Sequence, residues 1–296
     1  MKTMRWRWLV VAVMVFGALT LAACGDDDDD GADGQGQARE FPAGSTMAEL
    51  QDEGEIKIGV KYDVPPFGFL NPQSGEVEGF DVDLGRAIAE ELGVEPNFIE
   101  AISDNRIPFL EDGTADLILS TMTITRERNK EIEFSEPYFI ARGRVLVPKG
   151  SDIQGVEDIG SGDTVCTALG STYADTLKSE APEAELRLVD EYSSCLELLQ
   201  NGAVDAVSTD DVILTGMIIQ DDNLELVGAP FTFEPYGAGI RKGDTEFKAF
   251  VDEVIAQYKQ DGSWDQAYQK WVGQYTGVEV EPTTLSLQEA LRRAPE

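Results

Sequence analysis

The chain has 296 residues, three cysteines, no histidine and a formal net charge of −33 at pH 7. Without histidine, histidine-based triads, histidine–metal sites and imidazole acid–base steps are excluded. The excess of acid argues against nucleic acid and anionic lipid surfaces as partners.

Lys2, Arg5 and Arg7 precede an uncharged apolar run at residues 9–23, which ends at Leu21-Ala22-Ala23-Cys24. Basic residues, then a short apolar run, then small residues describe a secretory signal at residues 1–23. The run is short for a membrane span. Its end resembles the lipobox of bacterial lipoproteins, which implies lipidation of Cys24. Residues 24–54 read as a flexible acidic tether, because Gly, Ala, Gln and Asp dominate the start of this stretch and offer nothing to build a core. The aspartates at 26–30 lack the spacing of a calcium loop, and no metal site is expected.

From Glu55 to about Tyr275 short apolar runs alternate with amphipathic stretches. A strand at 56–60 is followed by the Pro65-Pro66 turn. A helix is expected at 81–92, capped by Asp81 and closed by Gly93, with Phe80, Leu84, Ile88 and Leu92 on one face. A strand at 97–100, a helix at 105–111 and a strand at 116–119 come next. That last strand runs into Ser120, Thr121, Thr123 and Thr125, with Thr125 as helix N-cap and Arg126 and Arg128 in the first turn. Acidic residues normally occupy a first turn. Arginine beside free amides and hydroxyls suits a carboxylate instead, although an ordinary surface arginine is the plain alternative.

Strands at 144–147 and 164–166 follow, then strands at 185–188, 205–208 and 225–227 with helices at 172–179, 193–201 and 210–219. Helices at 246–259 and 264–271 come last, and 285–293 forms a short helix or frays. Cys166 and Cys195 remain once Cys24 is set aside, and an even remainder in an exported chain points to a disulfide. The alternation indicates an α/β fold with mainly parallel sheets, and the length suits two lobes. Ligands in such sheets bind beyond the carboxyl ends of the strands. Ser120 to Thr123 and Ser208 to Asp210 each follow a strand, one in each half, so a cleft between the halves is the expected site.

Gly79-Phe80-Asp81-Val82-Asp83-Leu84 resembles the signature of family 3 extracellular solute-binding proteins, the amino-acid receptors of ABC importers. The resemblance takes in Ile58 to Lys61, Ser120 to Arg128, Phe134 to Tyr138, Leu169 to Thr172, Val204 to Asp210, and Asp261 to Ser263 with Trp271. It implies a two-lobed periplasmic-binding-protein (Venus flytrap) fold, each lobe a mainly parallel sheet flanked by helices, with two hinge crossings. The first lobe would comprise residues 55–143 and 236–275, the second 144–235, and residues 276–296 a C-terminal tail. Asp81 and Asp83 would belong to the fold rather than to the ligand.

The resemblance also implies contacts to an amino acid's backbone groups. Arg128 rather than Arg126 would take the α-carboxylate, helped by Thr121 and Thr123 and by Ser171 and Thr172 from the second lobe. Asp210 would accept the ammonium, with Asp211 solvated. Lys61 stands where relatives for neutral or basic ligands place an acid, and Val64 where they place a ring. With Arg106 at the mouth of the next helix, this resembles the aspartate/glutamate-binding branch. Two cations in a desolvated cleft suit a side-chain carboxylate, the plain alternative being that both face solvent. The expected function is capture of glutamate or aspartate by a monomeric lipoprotein on the outer face of the cell membrane, for delivery to a permease and ATPase. No catalysis and no cofactor are implied. Glutamine or asparagine is the rival ligand. A dehydratase-type enzyme on the same fold would need a carboxylate as its acid or base, and a chemosensory module would need a fused signalling segment.

Overall fold

The computed structural model describes residues 39–295; Cys24, the signal reading and the first part of the tether lie outside the described residues. The central strand of the first sheet, Glu55–Val60, buries Ile56, Ile58 and Val60 completely. It pairs in parallel with Glu95–Glu100 on one side and Leu117–Ile118 on the other. Gly239–Ile240, returning from later in the chain, adds antiparallel to Leu117–Ile118 and carries Glu133–Phe134 at the edge. The second sheet has the same plan. Glu185–Val189, Thr164–Ala168 and Ala206–Asp210 are parallel, while Gly143–Pro148 and Leu224–Val227 complete it antiparallel. Each sheet with its helices forms one lobe. The chain crosses between them twice, through Phe139–Ala141 and Glu234–Tyr236, which pair antiparallel to each other.

The helix of the first lobe spans Phe80–Leu92 and buries the expected face, Phe80, Leu84, Ile88 and Leu92. Asp81 is not its cap, contrary to expectation. The N-cap is Gly79, which makes no side-chain cap bond, so Asp81 lies within the first turn and turns inward. Its carboxylate accepts the Thr121 amide and the Tyr138 hydroxyl, both at 2.8 Å.

A second correction concerns the tether, expected to reach residue 54. Thr46–Glu53 is a helix, opened by the Ser45 hydroxyl on the Ala48 amide and closed by left-handed Gly54, and it buries Met47 and Leu50. Before it, the Phe41 ring meets Phe250 edge-on at 5.4 Å. Two apolar residues in eight gave too short a period to read as an amphipathic helix. At the other end Leu287–Arg293 is a helix, not a fray. The Ser286–Glu289 capping box starts it, and Ala290 is buried among Ile118, Ile124 and Ile132. The expected helix at 264–271 stays regular only over Ser263–Tyr268 and widens into a π turn at Gln269–Gly273.

Cys166, in a central strand of the second sheet, is joined to Cys195 on the helix Tyr192–Gln200, with Cα atoms 5.5 Å apart. Two stability experiments follow. Replacing both cysteines with alanine should lower the free energy of unfolding by roughly 3–4 kcal/mol in the chain-entropy model, read from urea melts of the oxidised wild type and the variant. Leu50→Ala should cost roughly 2–4 kcal/mol if the helix at 46–53 is integral to the lobe; an unchanged melt would return this segment to the tether.

Candidate functional site

Both sheets deliver the ends of their strands to the space between the lobes. In the first lobe Leu117–Ile118 ends at a turn in which Thr121 has φ +43°, among the described residues the one non-glycine at positive φ. Such a backbone is costly for a β-branched residue. Asp81 holds it by accepting its amide, which would otherwise be buried without a partner. Thr123 then bridges to Tyr236, and the Ile124 amide donates to the Pro235 carbonyl at 2.7 Å, tying the turn to the crossing strand.

The Thr125 hydroxyl accepts the Arg128 amide at 3.1 Å, but Thr125 is not the expected N-cap: the regular helix spans only Arg128–Glu131, and Glu127 precedes it as N-cap. The Arg128 guanidinium is thereby aimed across the gap. It donates through Nη1 to the Thr123 carbonyl and through Nη2 to the Gly170 carbonyl of the second lobe, each at 2.8 Å. Arg126 is exposed and does not line the cleft.

Arg106 opens the helix Arg106–Asp112 and is buried rather than solvent-facing. Its Nε donates to the Ser103 carbonyl at 3.0 Å, Nη1 to the carbonyls of Ser120 and Thr121, and Nη2 to Gly170 at 3.2 Å. Gly170 thus receives both arginines on one oxygen. It adopts φ +74°, and a Cβ there would stand 2.5 Å from the Asp104 Cα, so only glycine admits this approach of the lobes. Elsewhere a Cβ on Gly216 would overlap the Pro65 carbonyl, and Asp63 accepts the Ser193 amide at 3.0 Å. The lobes are closed on one another.

From the second lobe come Ser171 and Thr172, between the strand Thr164–Ala168 and the helix Tyr173–Glu180. Asp210, at the end of its strand, accepts the Tyr173 hydroxyl at 3.0 Å. Asp211 is not solvated as expected: its carboxylate accepts the Arg142 amide at 3.1 Å. Seven of the eight expected ligand residues, Arg106, Thr121, Thr123, Arg128, Ser171, Thr172 and Asp210, line one cleft, which the closed lobes narrow to a free volume of only about 10 Å³. That is below the roughly 300–1,000 Å³ of drug-sized sites. A larger groove beside Phe233 carries Arg142, Asp175, Glu180 and Arg293, all exposed, and has no comparable convergence of buried polar groups. Among the described residues no acidic or thiol cluster is arranged to hold a metal ion.

Lys61 is the exception. It is 1 % exposed and lies behind the wall, with Nζ donating to the Ser103 hydroxyl at 2.8 Å and standing 5.8 Å from the Tyr192 ring centre. Sequence reasoning missed Ser103, Tyr173, Tyr192 and Ile213 in the lining, and it missed Glu234 beside it. Glu234 is fully buried in the second crossing strand, and one of its oxygens, Oε2, accepts the hydroxyls of Thr123 (2.7 Å) and Thr172 (3.1 Å), one from each lobe. Its own sequence context, Phe233-Glu234-Pro235-Tyr236, carries no pattern that announces a buried acid.

Burial dominates the electrostatics. It lowers Lys61 to about 7, aided by the Arg106 charge, and lowers Arg106 to about 9, aided by Arg128. Arg128 is lowered by burial as well. Burial, and next the negative charge of Glu234, push Asp210 well above the ordinary carboxylate range. Buried Asp81 rises to about 7. The cations would be stabilised by an anion and the acids by a cation. A zwitterion supplies both.

The chain matches the family model of bacterial extracellular solute-binding proteins, family 3, over residues 56–274. It is 40 % identical to the ABC transporter glutamine-binding protein GlnH of Bacillus subtilis, over 88 % of this chain and 94 % of that one. To the glutamate-binding protein GluB of Corynebacterium efficiens it is 34 % identical, over 91 % of each. Among solved structures, an ancestral arginine-binding protein bound to glutamine superposes with a TM-score of 0.71 at 38 % identity, covering 74 % of this chain and 98 % of that one. With a match that spans both sheets, both crossings and the whole cleft, the chain belongs to family 3 of the bacterial extracellular solute-binding proteins.

Proposed function

We propose that the protein captures glutamine between its lobes, with glutamate as the second ligand, and hands it to an ABC importer. Membership of the family supplies the coarser part, an extracytoplasmic amino-acid receptor that works with an ABC transporter. The observation that carries the finer part is the pairing of a carboxylate grip, Arg128 with Thr121, Thr123, Ser171 and Thr172, with the acid Asp210 in one small cleft. Closing the lobes removes water and strengthens each of these charge-assisted bonds.

For the ligand's tail the geometry favours a neutral amide. Arg106 makes four hydrogen bonds to backbone carbonyls and has little left to offer. Lys61 sits behind Ser103 and loses its charge near neutrality. What faces the cleft at that end is Ser103 with Tyr192 and Ile213, neutral groups suited to a carboxamide. Relatives named for glutamine at 40 % and 39 % identity and for glutamate at 34 % support the same ordering. The second reading has its own observation: a protonated Lys61 beside Arg106 would favour an anionic tail. Residues 55–143 with 236–275, and 144–235, act in this reading as the moving lobes of a monomer. The signal at 1–23 directs export and is removed, and lipidation of Cys24 then holds the mature chain at the membrane.

Calorimetry with glutamine and glutamate tests the proposal; binding of neither would overturn it. Arg128→Ala should weaken glutamine binding by about 100-fold or more, since two charge-assisted hydrogen bonds are lost. The tail reading predicts a pH signature. Lys61 is mostly neutral at pH 8 and mostly charged at pH 6, so the preference for glutamine over glutamate should shrink by up to about tenfold on acidification. Glutamate remains ionised throughout that range. Glutamate binding at pH 8 should also take up a proton, seen as a binding heat that depends on the buffer; an unchanged preference and no buffer effect would remove Lys61 from specificity. Cys24→Ala should release the protein into the medium, and retention on cells would refute the anchor.

A further inference from the structure

We propose that Glu234 is a second acid of the ammonium site and contacts the ligand's α-ammonium through its oxygen Oε1; this rests on the amino-acid reading above. Glu234 is wholly buried, and its two oxygens are treated very differently. Oε2 accepts both threonine hydroxyls, while Oε1 is buried with no hydrogen-bond partner among the described residues. A buried carboxylate oxygen left without a donor is costly. The two threonines do not explain the charge, because the amide oxygen of a glutamine would accept from them equally well.

Position identifies the missing donor. Thr123 and Thr172 both line the cleft, and Thr123 also offers its carbonyl to Arg128, the residue assigned to the α-carboxylate. A group bonded to Thr123 therefore sits beside the place where an α-ammonium must lie. The Arg128 guanidinium donates to the Thr123 and Gly170 carbonyls and meets Glu234 only through its charge, so it gives Oε1 no hydrogen bond. Asp210, whose Oδ1 is taken by Tyr173, feels Glu234 as a repelling charge. Two acids that repel in a desolvated cleft are reconciled by a cation placed between them. An ammonium brings three donors, enough for Asp210 and Glu234 together. Because Thr123 and Thr172 belong to opposite lobes, the same side chain couples recognition of the ammonium to closure.

Glu234→Gln keeps the shape and the acceptor for both threonines while removing the charge. Thermal melts of the unliganded variant should match or exceed the wild type, since a buried carboxylate with an oxygen that lacks a donor is gone. Titration with glutamine should show at least a tenfold loss of affinity. Glu234→Asp, which retains the charge on a shorter arm, should lose less. Competition by 4-carbamoylbutanoate, glutamine without its amino group, should be no weaker in Glu234→Gln than in the wild type. Undiminished glutamine binding by Glu234→Gln would overturn the inference. So would an unliganded melt several degrees lower with equal losses for both ligands, the signature of a purely structural acid. Wild-type protein that bound no amino acid would remove the reading beneath it as well.

Discussion

One carbonyl oxygen, that of Gly170, takes both buried arginines across the gap between the two lobes. It accepts from Arg106 and Arg128 of the first lobe while belonging to the second, and the absent side chain of Gly170 is what lets Asp104 come so near. Both arginines are dehydrated by that closure, and neither meets a carboxylate at hydrogen-bond distance there. Bonds to neutral carbonyls satisfy their directionality but leave much of their charge uncompensated. The closed cleft is therefore electrostatically incomplete in a way that a small zwitterion completes.

That incompleteness is distributed by the fold. The first lobe supplies the cations Arg106 and Arg128, the second lobe Asp210 and the crossing strand Glu234, so acids and bases of separate elements meet around one cleft. Asp81 works one layer further back. It accepts from Thr121 and Tyr138, which fixes a backbone turn that a threonine would otherwise avoid, and the Thr121 carbonyl in turn orients Arg106. The acid of the family signature thus serves the site through backbone geometry and does not line the cleft.

Much of the site was legible because its logic is local. Arg128 is placed by a threonine three residues earlier, and hydroxyls at the ends of apolar runs mark where strands open onto a cleft. Lys61 and Arg106 were less legible. Both were expected to present charge to a ligand. Their hydrogen bonds in the structure go to Ser103, Ser120, Thr121 and Gly170, the last of which is 64 residues from Arg106 in sequence. Asp81 misled for the same reason: a helix-start aspartate reads as a cap unless a distant amide competes for it. The helix at 46–53 stayed hidden because its support comes from tertiary packing rather than from its own periodicity.

By itself, then, the sequence determined the alternation of strands and helices, the disulfide pair, the absence of imidazole chemistry and, through the family resemblance, seven of the side chains that meet in the cleft. The first three follow from local periodicity and composition, which need no knowledge of neighbours. Tertiary structure decided which of those side chains keep a free charge, which spend it on backbone carbonyls, and that Glu234 joins them. Burial and hydrogen-bond competition fix those outcomes, and both depend on groups that the chain brings together only when it folds.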